Sequence, residues 1–349
     1  AIITGYAGIQ QNGKSPLHNM LMIDTDDKIP AFKELVDRVH EYNTPIILQL
    51  AHCGRQTRKK VTGCKPVAPS PIRDKIYLET RPSKLTEEEI YEIIDNFIAA
   101  IRRAKLAGFD GVQLHMAHGY LLSQFLSSHS NRRNDKWGGS TENKFHIIKE
   151  ILSRSREEVG DYTILAKINV SDEQKNGMRI EEAVEIARLL DKSGIDAIET
   201  SRGTLEDGFN TMRGQVPVEA IVQDMFLFRW IPDLFKPLVK SGIKIHIKSR
   251  KPYSAYNLSE AKRIREEVNC PIILVGGISS KSQIERIISK DRIDFVSMSR
   301  PLILEPDLIK KFRENKQEEA RCIKCNICII ALEGRPVRCY YGKWRESEK

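Results

Sequence analysis

The sequence predicts an α/β protein in which parallel strands and helices alternate and close into a (β/α)8 barrel, the TIM-barrel fold. Short, almost continuously apolar runs alternate with longer segments in which apolar residues recur every three or four positions. The short runs are typical of parallel strands buried on both faces, and the longer segments of helices that cover them. A weak internal repeat also indicates alternating strands and helices. Residues 108–112, 194–198 and 292–296 share an apolar residue, then an aspartate, then the start of a predicted strand. An open doubly wound sheet is the alternative arrangement.

The sequence pattern predicts seven strands and six helices along the chain. The predicted strands lie at residues 1–9, 45–50, 111–115, 163–170, 197–201, 271–276 and 294–299. The predicted helices lie at residues 30–42, 86–108, 141–158, 180–192, 258–268 and 281–289. The clearest helix start is at Thr86, because a threonine followed three residues later by Glu89 forms a capping box, in which each side chain accepts a hydrogen bond from the backbone of the other residue. An apolar stripe from Ile90 to Ala104 continues this helix.

Seven predicted strands are one fewer than a closed eight-stranded barrel needs. Either the first strand of the barrel lies upstream of Ala1 and is missing from this chain, or one strand within the chain lacks a recognisable pattern. Residues 1–312 are predicted to form the barrel, with an insertion at about 204–256 that caps its mouth, and residues 313–349 a short cysteine-rich appendage. Within the insertion, residues 244–248 alternate between polar and apolar side chains, as an edge strand does.

Composition excludes several classes of protein. The chain has 349 residues, of which 40% are apolar, 7% aromatic and 30% charged, as in folded globular proteins and unlike disordered or collagen-like ones. No apolar run approaches the roughly 20 residues that cross a bilayer, and the N-terminus lacks a secretory signal, so a cytoplasmic protein is expected. Lysine and arginine exceed aspartate and glutamate by 9, which admits an anionic ligand, a cofactor phosphate or nucleic acid without choosing among them.

Polar residues at the ends of the predicted strands are the candidates for chemistry, because barrel enzymes work at the C-terminal ends of their strands. Two such ends carry Gly276 with Gly277 and Ser299 with Arg300, each followed by a helix. Free backbone amides and a guanidinium at these positions favour a phosphate site. Tight turns also need glycine, so a purely structural role is the alternative.

Another strand end carries His115, His118 and Tyr120. Their spacing predicts two imidazole donors and one phenol around a single substrate oxygen and the carbon beside it. A zinc site is one alternative for the two histidines, but no suitably placed carboxylate or third histidine supports it. Histidines that only pack in the core are the other alternative.

The residues that follow resemble a known family. The segment 115–143, which begins His115-Met-Ala-His118-Gly-Tyr120 and continues to Asn143, resembles the old yellow enzyme family of flavin-dependent ene-reductases. Residues 49–55 and 299–302 match other signatures of that family, and the resemblance covers about residues 1–306. It implies a barrel that holds FMN at its mouth, with NAD(P)H as the source of hydride.

The resemblance also implies how the cofactor is held. Gln49 would hydrogen-bond the pyrimidine edge of the flavin. Lys167 would stand beside flavin N1 and O2, where negative charge accumulates on reduction, and a cation there favours the acceptance of hydride. The phosphate would be received by Gly276, Gly277, Ser299 and Arg300.

The same resemblance implies the catalytic roles. His115 and His118 would hold the carbonyl oxygen of an α,β-unsaturated substrate and stabilise the enolate that forms when hydride reaches the β-carbon. Tyr120 would donate a proton to the α-carbon, since a phenol with an ordinary pKa near 10 is protonated at neutral pH.

Four of the seven cysteines crowd near the C-terminus, at Cys322, Cys325, Cys328 and Cys339. In a chain without a secretory signal, this clustering favours metal ligation over disulfides. The spacing resembles the iron–sulfur segment of the branch that contains 2,4-dienoyl-CoA reductase and 2-enoate reductase, which implies a [4Fe-4S] cluster. Zinc and no metal at all are the alternatives.

The sequence therefore predicts an FMN-dependent oxidoreductase that reduces the C=C bond of α,β-unsaturated carbonyl compounds with hydride from NAD(P)H. The expected partners are a small-molecule enone or enoyl ester, a separate electron-donor protein and a second copy of the chain in a homo-oligomer, but neither nucleic acid nor a membrane. The alternative is a truncated or degenerate family member that binds flavin or metal without turnover and serves as a redox-responsive or interaction protein. A flavin barrel that modifies tRNA is disfavoured, because the chain lacks the reactive cysteine expected beside the flavin loop.

Overall fold

The computed structural model describes residues 1–17, 19–77, 79, 81–225, 227–247, 249 and 252–343, and it divides into two compact units. The first unit comprises Ala1–Glu206 and Ser259–Ile273, and the second comprises Asp207–Leu258 and Leu274–Lys349. The predicted insertion at about 204–256 lies almost wholly in the second unit. The predicted boundary at residue 312 stays a prediction.

Short strands recur along the chain, and most of them lie close to the predicted positions. They are β1 (Ile2–Ile3), β2 (Ala7–Gly8), β3 (Leu21–Met22), β4 (Ile46–Ala51), β5 (Val67–Ala68), β6 (Ser83–Lys84), β7 (Gly111–Met116), β8 (Thr163–Asn169), β9 (Ala197–Ser201), β10 (Ile272–Val275) and β11 (Phe295–Ser297). Every residue of β4, β7 and β9 is buried, as expected for parallel strands that helices cover.

Each of the six predicted helices is present, together with shorter ones that were not predicted. They are α1 (Ile29–His40), α2 (Lys59–Thr62), α3 (Glu87–Leu106), α4 (Leu121–Leu126), α5 (Thr141–Val159), α6 (Ile180–Lys192), α7 (Phe209–Met212), α8 (Val218–Asp224), α9 (Lys236–His246), α10 (Leu258–Arg265), α11 (Lys281–Ser289), α12 (Arg300–Leu304), α13 (Leu308–Arg313) and α14 (Ile327–Ile330). None of the helices in the described part of the chain has the length and apolar character needed to span a membrane.

The sheet of the first unit is wound in chain order. Strands β2, β4, β7, β8 and β9 lie side by side in that sequence, β3 pairs with β2, and β1 also pairs with β4. The described pairings are parallel. A doubly wound sheet reverses its strand order at a switch point, and no such reversal occurs from β2 through β4, β7 and β8 to β9. The predicted α/β class is confirmed, and the strand order favours the barrel over the doubly wound alternative.

The internal repeat has a physical role in this sheet. Asp110 precedes β7, and its Oδ2 atom accepts a 2.7 Å hydrogen bond from the backbone amide of Ile46 at the start of β4. Asp196 precedes β9, and its Oδ2 atom accepts a 2.7 Å hydrogen bond from the amide of Ile164 in β8. The repeated aspartate therefore ties the start of one strand to its neighbour, which fixes the register of parallel strands.

Helix α3 begins as its capping box predicts. The Glu89 amide donates to Thr86 Oγ1 over 3.2 Å, and the Thr86 amide donates to Glu89 Oε2 over 2.8 Å. The apolar stripe of α3 is buried, including Ile90, Phe97 and Ala104.

The second unit has an apolar cluster of its own. Its buried members come from α8, α9 and the chain after α13, and they are Ala220, Ile221, Val222, Ile243, Ile330, Ala331 and Tyr340. The cysteine-rich tail is therefore packed into this unit through residues next to Cys328 and Cys339.

The edge strand predicted at residues 244–248 was wrong. Residues 244–246 form the end of α9, and Lys248 lies outside the described residues. Ile243, Ile245 and Ile247 alternate in sequence, but on a helix only residues three or four apart share a face. Ile243 and Ile247 accordingly pack against the apolar cluster, whereas Ile245 is 67% exposed.

Candidate active site

The predicted residues His115, His118 and Tyr120 come together after β7 in the first unit. His115 lies on β7, His118 lies in the loop that follows, and Tyr120 directly precedes α4. The ring centroid of His115 lies 5.0 Å from that of His118 and 4.7 Å from that of Tyr120, both edge to face. Three side chains predicted to act on one substrate therefore share one small region.

A tight turn between His118 and Tyr120 brings these rings together. His118 has a φ of 61° and Gly119 a φ of 81°, so both are left-handed. A Cβ on Gly119 would lie 2.5 Å from Gln56 Nε2, which favours glycine there. A left-handed histidine is uncommon and must be held by its surroundings. Here the His118 amide donates to Asn169 Oδ1 over 3.2 Å, and its carbonyl accepts from Gln56 Nε2 over 3.2 Å.

Both imidazoles are neutral at physiological pH. Burial lowers the pKa of His115 well below its usual range and the pKa of His118 to about 3, and the Lys167 ammonium adds to both effects. A neutral imidazole carries one N–H donor and one acceptor. His115 Nδ1 accepts from the Ala117 amide over 3.4 Å, which leaves the hydrogen on Nε2. His118 Nε2 lies 2.7 Å from Ser201 Oγ, a hydroxyl that can donate to it and leave the hydrogen on Nδ1.

Tyr120 keeps its proton at neutral pH. Its side chain is buried, and burial raises its pKa well above the usual range, with Tyr6, Cys53 and Tyr77 adding to the rise. Its hydroxyl donates to the hydroxyl oxygen of Tyr6 over 3.0 Å. The region after β7 thus combines two neutral N–H donors with one protonated phenol.

A second cluster of polar side chains connects neighbouring strands of the first unit. Gln49 Nε2 donates to Gln113 Oε1 over 2.6 Å, and Gln113 Nε2 donates to Glu199 Oε2 over 2.9 Å. The Lys167 ammonium lies 3.0 Å from the same carboxylate oxygen. Gln49, Gln113 and Glu199 are buried. The two predicted residues, Gln49 and Lys167, are therefore joined through two residues that the sequence analysis missed.

Strand register carries the signal that could have identified Gln113 and Glu199. Gln113 pairs with Gln49 between β7 and β4, and Glu199 pairs with Lys167 between β9 and β8. A carboxylate inside a fully buried strand is costly unless a cation or hydrogen bonds compensate its charge. A glutamate in such a strand is therefore a reason to look for a cation on the neighbouring strand.

Other residues of the recognised motifs hold the loops around these strands. Arg55 forms a fully buried ion pair with Glu206, its Nη2 atom lying 3.1 Å from Oε1. Asn131 Nδ2 donates to the carbonyls of Phe125 and Trp137, each over 2.8 Å. Asn131, within the long motif, therefore stabilises loop backbone, and the Arg55 side chain has a structural partner in Glu206.

The predicted phosphate residues lie in the second unit. Gly276 has a φ of 121° and Gly277 a φ of 74°, so both adopt backbone that favours glycine. A Cβ on Gly276 would lie 2.6 Å from the Tyr256 ring, and a Cβ on Gly277 would lie 2.2 Å from the Tyr253 carbonyl oxygen. The glycine pair therefore makes a tight turn against these tyrosines, which accounts for it structurally and leaves a phosphate role as a prediction.

Arg300 is tied to protein groups of the same unit. Ser299 precedes α12, and Arg300 is its first residue. Arg300 Nη1 donates to the Arg213 carbonyl over 2.9 Å and to Asn326 Oδ1 over 2.5 Å. The Arg300 guanidinium, which was predicted to bind a phosphate, therefore uses Nη1 to bind the loops that contain Arg213 and Asn326.

Arg213 supplies a guanidinium that lacks such partners. It is 2% exposed, and its guanidinium carbon lies 4.7 Å from the Tyr253 ring centroid and 4.3 Å from that of Tyr256. Its Nε and Nη1 atoms have no hydrogen-bond partner among the described residues. Unpaired donors on a buried cation are costly, which favours an anionic ligand here. The sequence analysis missed Arg213, because no pattern around it distinguishes it from the other arginines of the insertion.

The four C-terminal cysteines also belong to the second unit. All four are free thiols of intermediate exposure. Burial raises the pKa of Cys325, and it raises the pKa of Cys328 to about 11. The neighbouring cysteines add to both shifts. Within the described residues, no three His, Cys, Asp or Glu side chains are arranged to hold a metal ion. The donor set suits a metal that prefers thiolates, and the cluster stays a prediction.

Comparison with known proteins agrees with the fold and the motifs. The family model described as the NADH:flavin oxidoreductase / NADH oxidase family matches residues 1–227 and 212–319. A protein named NADH oxidase from Thermoanaerobacter brockii is 38% identical over 89% of this chain and 42% of its own length. An NADPH dehydrogenase from Geobacillus thermodenitrificans is 32% identical over 87% of this chain and 76% of its own length.

A solved structure is similar over almost the whole chain. A complex of 2-naphthoyl-CoA reductase with 2-naphthoyl-CoA has a TM-score of 0.80 and 24% identity, and it matches 97% of this chain and 48% of its own. This likeness confirms the predicted TIM-barrel fold class. The chain spans less than half the length of the NADH oxidase that it matches.

Proposed function

Because the chain belongs to the NADH:flavin oxidoreductase / NADH oxidase family, we propose that it is a flavin-dependent oxidoreductase that reduces activated C=C bonds with hydride from NAD(P)H. The observation that carries this proposal is the convergence of two neutral N–H donors and a protonated phenol: the rings of His118 and Tyr120 each lie within about 5 Å of the His115 ring. The substrate class is an enone or enoyl ester.

FMN is the cofactor that the family implies, and when bound it supplies the chemistry of hydride transfer. In the first unit, the Gln49 amide and the Lys167 ammonium suit the polar edge of the ring. In the second unit, Arg213 offers two unpartnered donors to a phosphate. Gly276 and Gly277 lie against Tyr256 and Tyr253, the two residues whose rings the Arg213 guanidinium also contacts.

Further residues would support this binding. Ser299 and Arg300 would complete the phosphate site, with Arg300 holding the backbone of Arg213 in place. Glu199 pairs with the Lys167 ammonium and so moderates the positive charge offered to the flavin ring.

The two histidines would bind the substrate carbonyl. His115 has its hydrogen on Nε2, and His118 can present one on Nδ1. Two N–H donors placed on one oxygen stabilise the negative charge that grows there as the C=C bond is reduced. Because both imidazoles are neutral, they donate hydrogen bonds without giving up a proton.

Tyr120 would protonate the α-carbon. Burial keeps its hydroxyl protonated, and its ring lies against His115, the imidazole that would bind the carbonyl. A phenol donates at neutral pH only when the receiving carbon is basic, as an enolate carbon is.

The C-terminal cysteines would hold a [4Fe-4S] cluster, with zinc as the alternative. Four thiols in one short segment suit either metal centre. A separate electron-donor protein, a homo-oligomer and a cytoplasmic location are further parts of this proposal.

The proposal is tested by separating the two halves of turnover. In the FMN-loaded protein, Tyr120→Phe should slow reoxidation of the reduced flavin by cyclohexenone about a hundredfold or more, because proton donors contribute roughly 10²–10⁴-fold. Reduction by NAD(P)H should change less than about twofold. Stopped-flow absorbance of the flavin measures both rates under anaerobic conditions.

Other outcomes distinguish the alternatives. Equal loss of both half-reactions contradicts a role of Tyr120 in proton donation. A wild-type protein that binds FMN yet is neither reduced by NAD(P)H nor reoxidised by an enone supports the alternative of a binding protein without turnover.

A further inference from the structure

Tyr6 contacts two of the three residues of the candidate active site, although no motif in the sequence includes it. It lies between β1 and β2 in the first unit. Its hydroxyl oxygen lies 3.0 Å from that of Tyr120, and the two ring centroids are 5.0 Å apart. Its ring also stands edge to face against His115, with centroids 5.9 Å apart.

A proton that leaves Tyr120 leaves a buried phenolate behind. The groups that face the Tyr120 side chain are the phenols of Tyr6 and Tyr77, the thiol of Cys53 and the neutral imidazole of His115. None of these four groups carries a positive charge at neutral pH. Because a buried charge without a partner is costly, a hydrogen bond from a neighbouring hydroxyl becomes the main source of stabilisation for this oxygen.

Tyr6 is placed to give that hydrogen bond. In the described part of the chain, the hydroxyl of Tyr120 is hydrogen-bonded to that of Tyr6. A hydroxyl rotates about its C–O bond, so the hydrogen between the two oxygens can come from either phenol.

We propose that Tyr6 is a positioning residue for proton donation by Tyr120, an inference that rests on the proposed function. In the resting protein the Tyr120 hydroxyl points to Tyr6. When the substrate enolate is protonated, the O–H bond of Tyr120 breaks, a C–H bond forms with the electron pair of the enolate, and the negative charge passes to the Tyr120 oxygen. The Tyr6 hydroxyl then donates to that oxygen, and a proton from water restores the Tyr120 hydroxyl before the next turnover.

The test is the Tyr6→Phe variant of the FMN-loaded protein, which lacks only the hydroxyl. Hydrogen bonds to charged groups are strong enough that its loss should slow reoxidation by cyclohexenone about ten- to a hundredfold. The solvent deuterium isotope effect on that step should grow, because proton transfer becomes more rate-limiting. Reduction by NAD(P)H and FMN content should not change.

A matched control is Tyr162→Phe. Tyr162 is another tyrosine of the first unit whose hydroxyl is hydrogen-bonded, donating to the Phe109 carbonyl over 2.9 Å, and it directly precedes the start of β8. The predicted chemistry lies at the opposite, C-terminal ends of the strands, so this variant should keep both half-reactions and the isotope effect of the wild type.

The double variant Tyr6→Phe/Tyr120→Phe decides whether Tyr6 acts through Tyr120. It should reoxidise no more slowly than Tyr120→Phe alone, because a residue that acts only through another has no effect in its absence. Additive losses overturn the inference, as does a Tyr6→Phe variant with wild-type reoxidation when Tyr120→Phe is slow. If Tyr120→Phe itself reoxidises at the wild-type rate, the proton-donor role in the proposed function fails as well.

Discussion

Replacing Arg213 by methionine separates cofactor binding from folding. The Arg213 guanidinium is buried between Tyr253 and Tyr256, and two of its nitrogens lack hydrogen-bond partners among the described residues. If those nitrogens receive the phosphate of FMN, their loss weakens the binding of any ligand that carries this phosphate. Methionine keeps much of the apolar volume and removes the charge.

The magnitude follows from what each contact contributes. In the protein without FMN, two stacked aromatic rings stabilise the cation by about 0.5–2 kcal/mol each, and two unpartnered donors cost about 1–3 kcal/mol each. The free energy of unfolding of the FMN-free protein should therefore fall by no more than about 2 kcal/mol, and it rises if relief of the unpartnered donors dominates. In the complex, a lost hydrogen bond to a charged group costs about 1.5–3 kcal/mol, which weakens FMN binding about 10- to 150-fold.

Riboflavin provides the comparison ligand, because it has the same ring system without the phosphate. Fluorescence titration of the FMN-free protein should show that Arg213→Met weakens FMN binding and leaves riboflavin binding unchanged. Arg229→Met is the matched control, since Arg229 is an exposed arginine of the same unit that also lies over an aromatic ring, 4.9 Å from that of Trp230. It should leave the binding of both ligands unchanged. Equal weakening of FMN and riboflavin in Arg213→Met would refute the phosphate role.

Two further predictions concern pH and metal. Burial lowers the pKa of His52 to about 3, while Gly54 donates to its Nδ1 atom and its Nε2 atom lies 3.0 Å from Asn12 Oδ1, so the neutral ring is already satisfied. In the unfolded chain the imidazole has a pKa of about 6.5, so as the pH falls the unfolded state takes up a proton before the folded state does. His52 therefore contributes stability above about pH 6.5, and this contribution is lost as the pH falls towards 3. Urea unfolding should show a loss of about 2 kcal/mol from His52 between about pH 7 and about pH 5, and His52→Gln should show a shallower dependence; an identical pH dependence in both would contradict this. Changing Cys322 and Cys325 to serine should remove iron and acid-labile sulfide from protein purified without oxygen and spare its FMN, whereas unchanged iron content would rule out ligation by these cysteines.

Local signals predicted the elements of the fold well. The capping box at Thr86 depends on two residues three apart, and Asp110 and Asp196 of the internal repeat each accept a hydrogen bond from the start of the neighbouring strand. Such interactions can be predicted from short stretches of sequence. The prediction of a strand at residues 244–248 was wrong because alternating apolar residues also fit a helix. Ile243 and Ile247, four residues apart, face the apolar cluster, whereas Ile245 between them is exposed.

The active-site motif was predictable because it is nearly continuous in sequence. His115, His118 and Tyr120 are brought together by one turn, whose left-handed residues are adjacent in the chain. Their roles stay predictions, but their proximity is a property of the structure.

The residues that the sequence analysis missed depend on contacts between distant segments. Glu199 meets Lys167 across two strands, and Tyr6 meets Tyr120 over a separation of 114 residues. Arg213 is distinguished only by its burial without partners. A single sequence does not show which strands are neighbours or which polar atoms are left unpaired, so these residues could be found only from the structure.

The central claim is tested most directly by one anaerobic titration of the protein loaded with FMN. NAD(P)H should bleach the flavin absorbance, and one equivalent of cyclohexenone should restore it and yield one equivalent of cyclohexanone. A flavin that bleaches with NAD(P)H and stays bleached in the presence of the enone, recovering only when oxygen is admitted, would contradict the reduction of activated C=C bonds at this site.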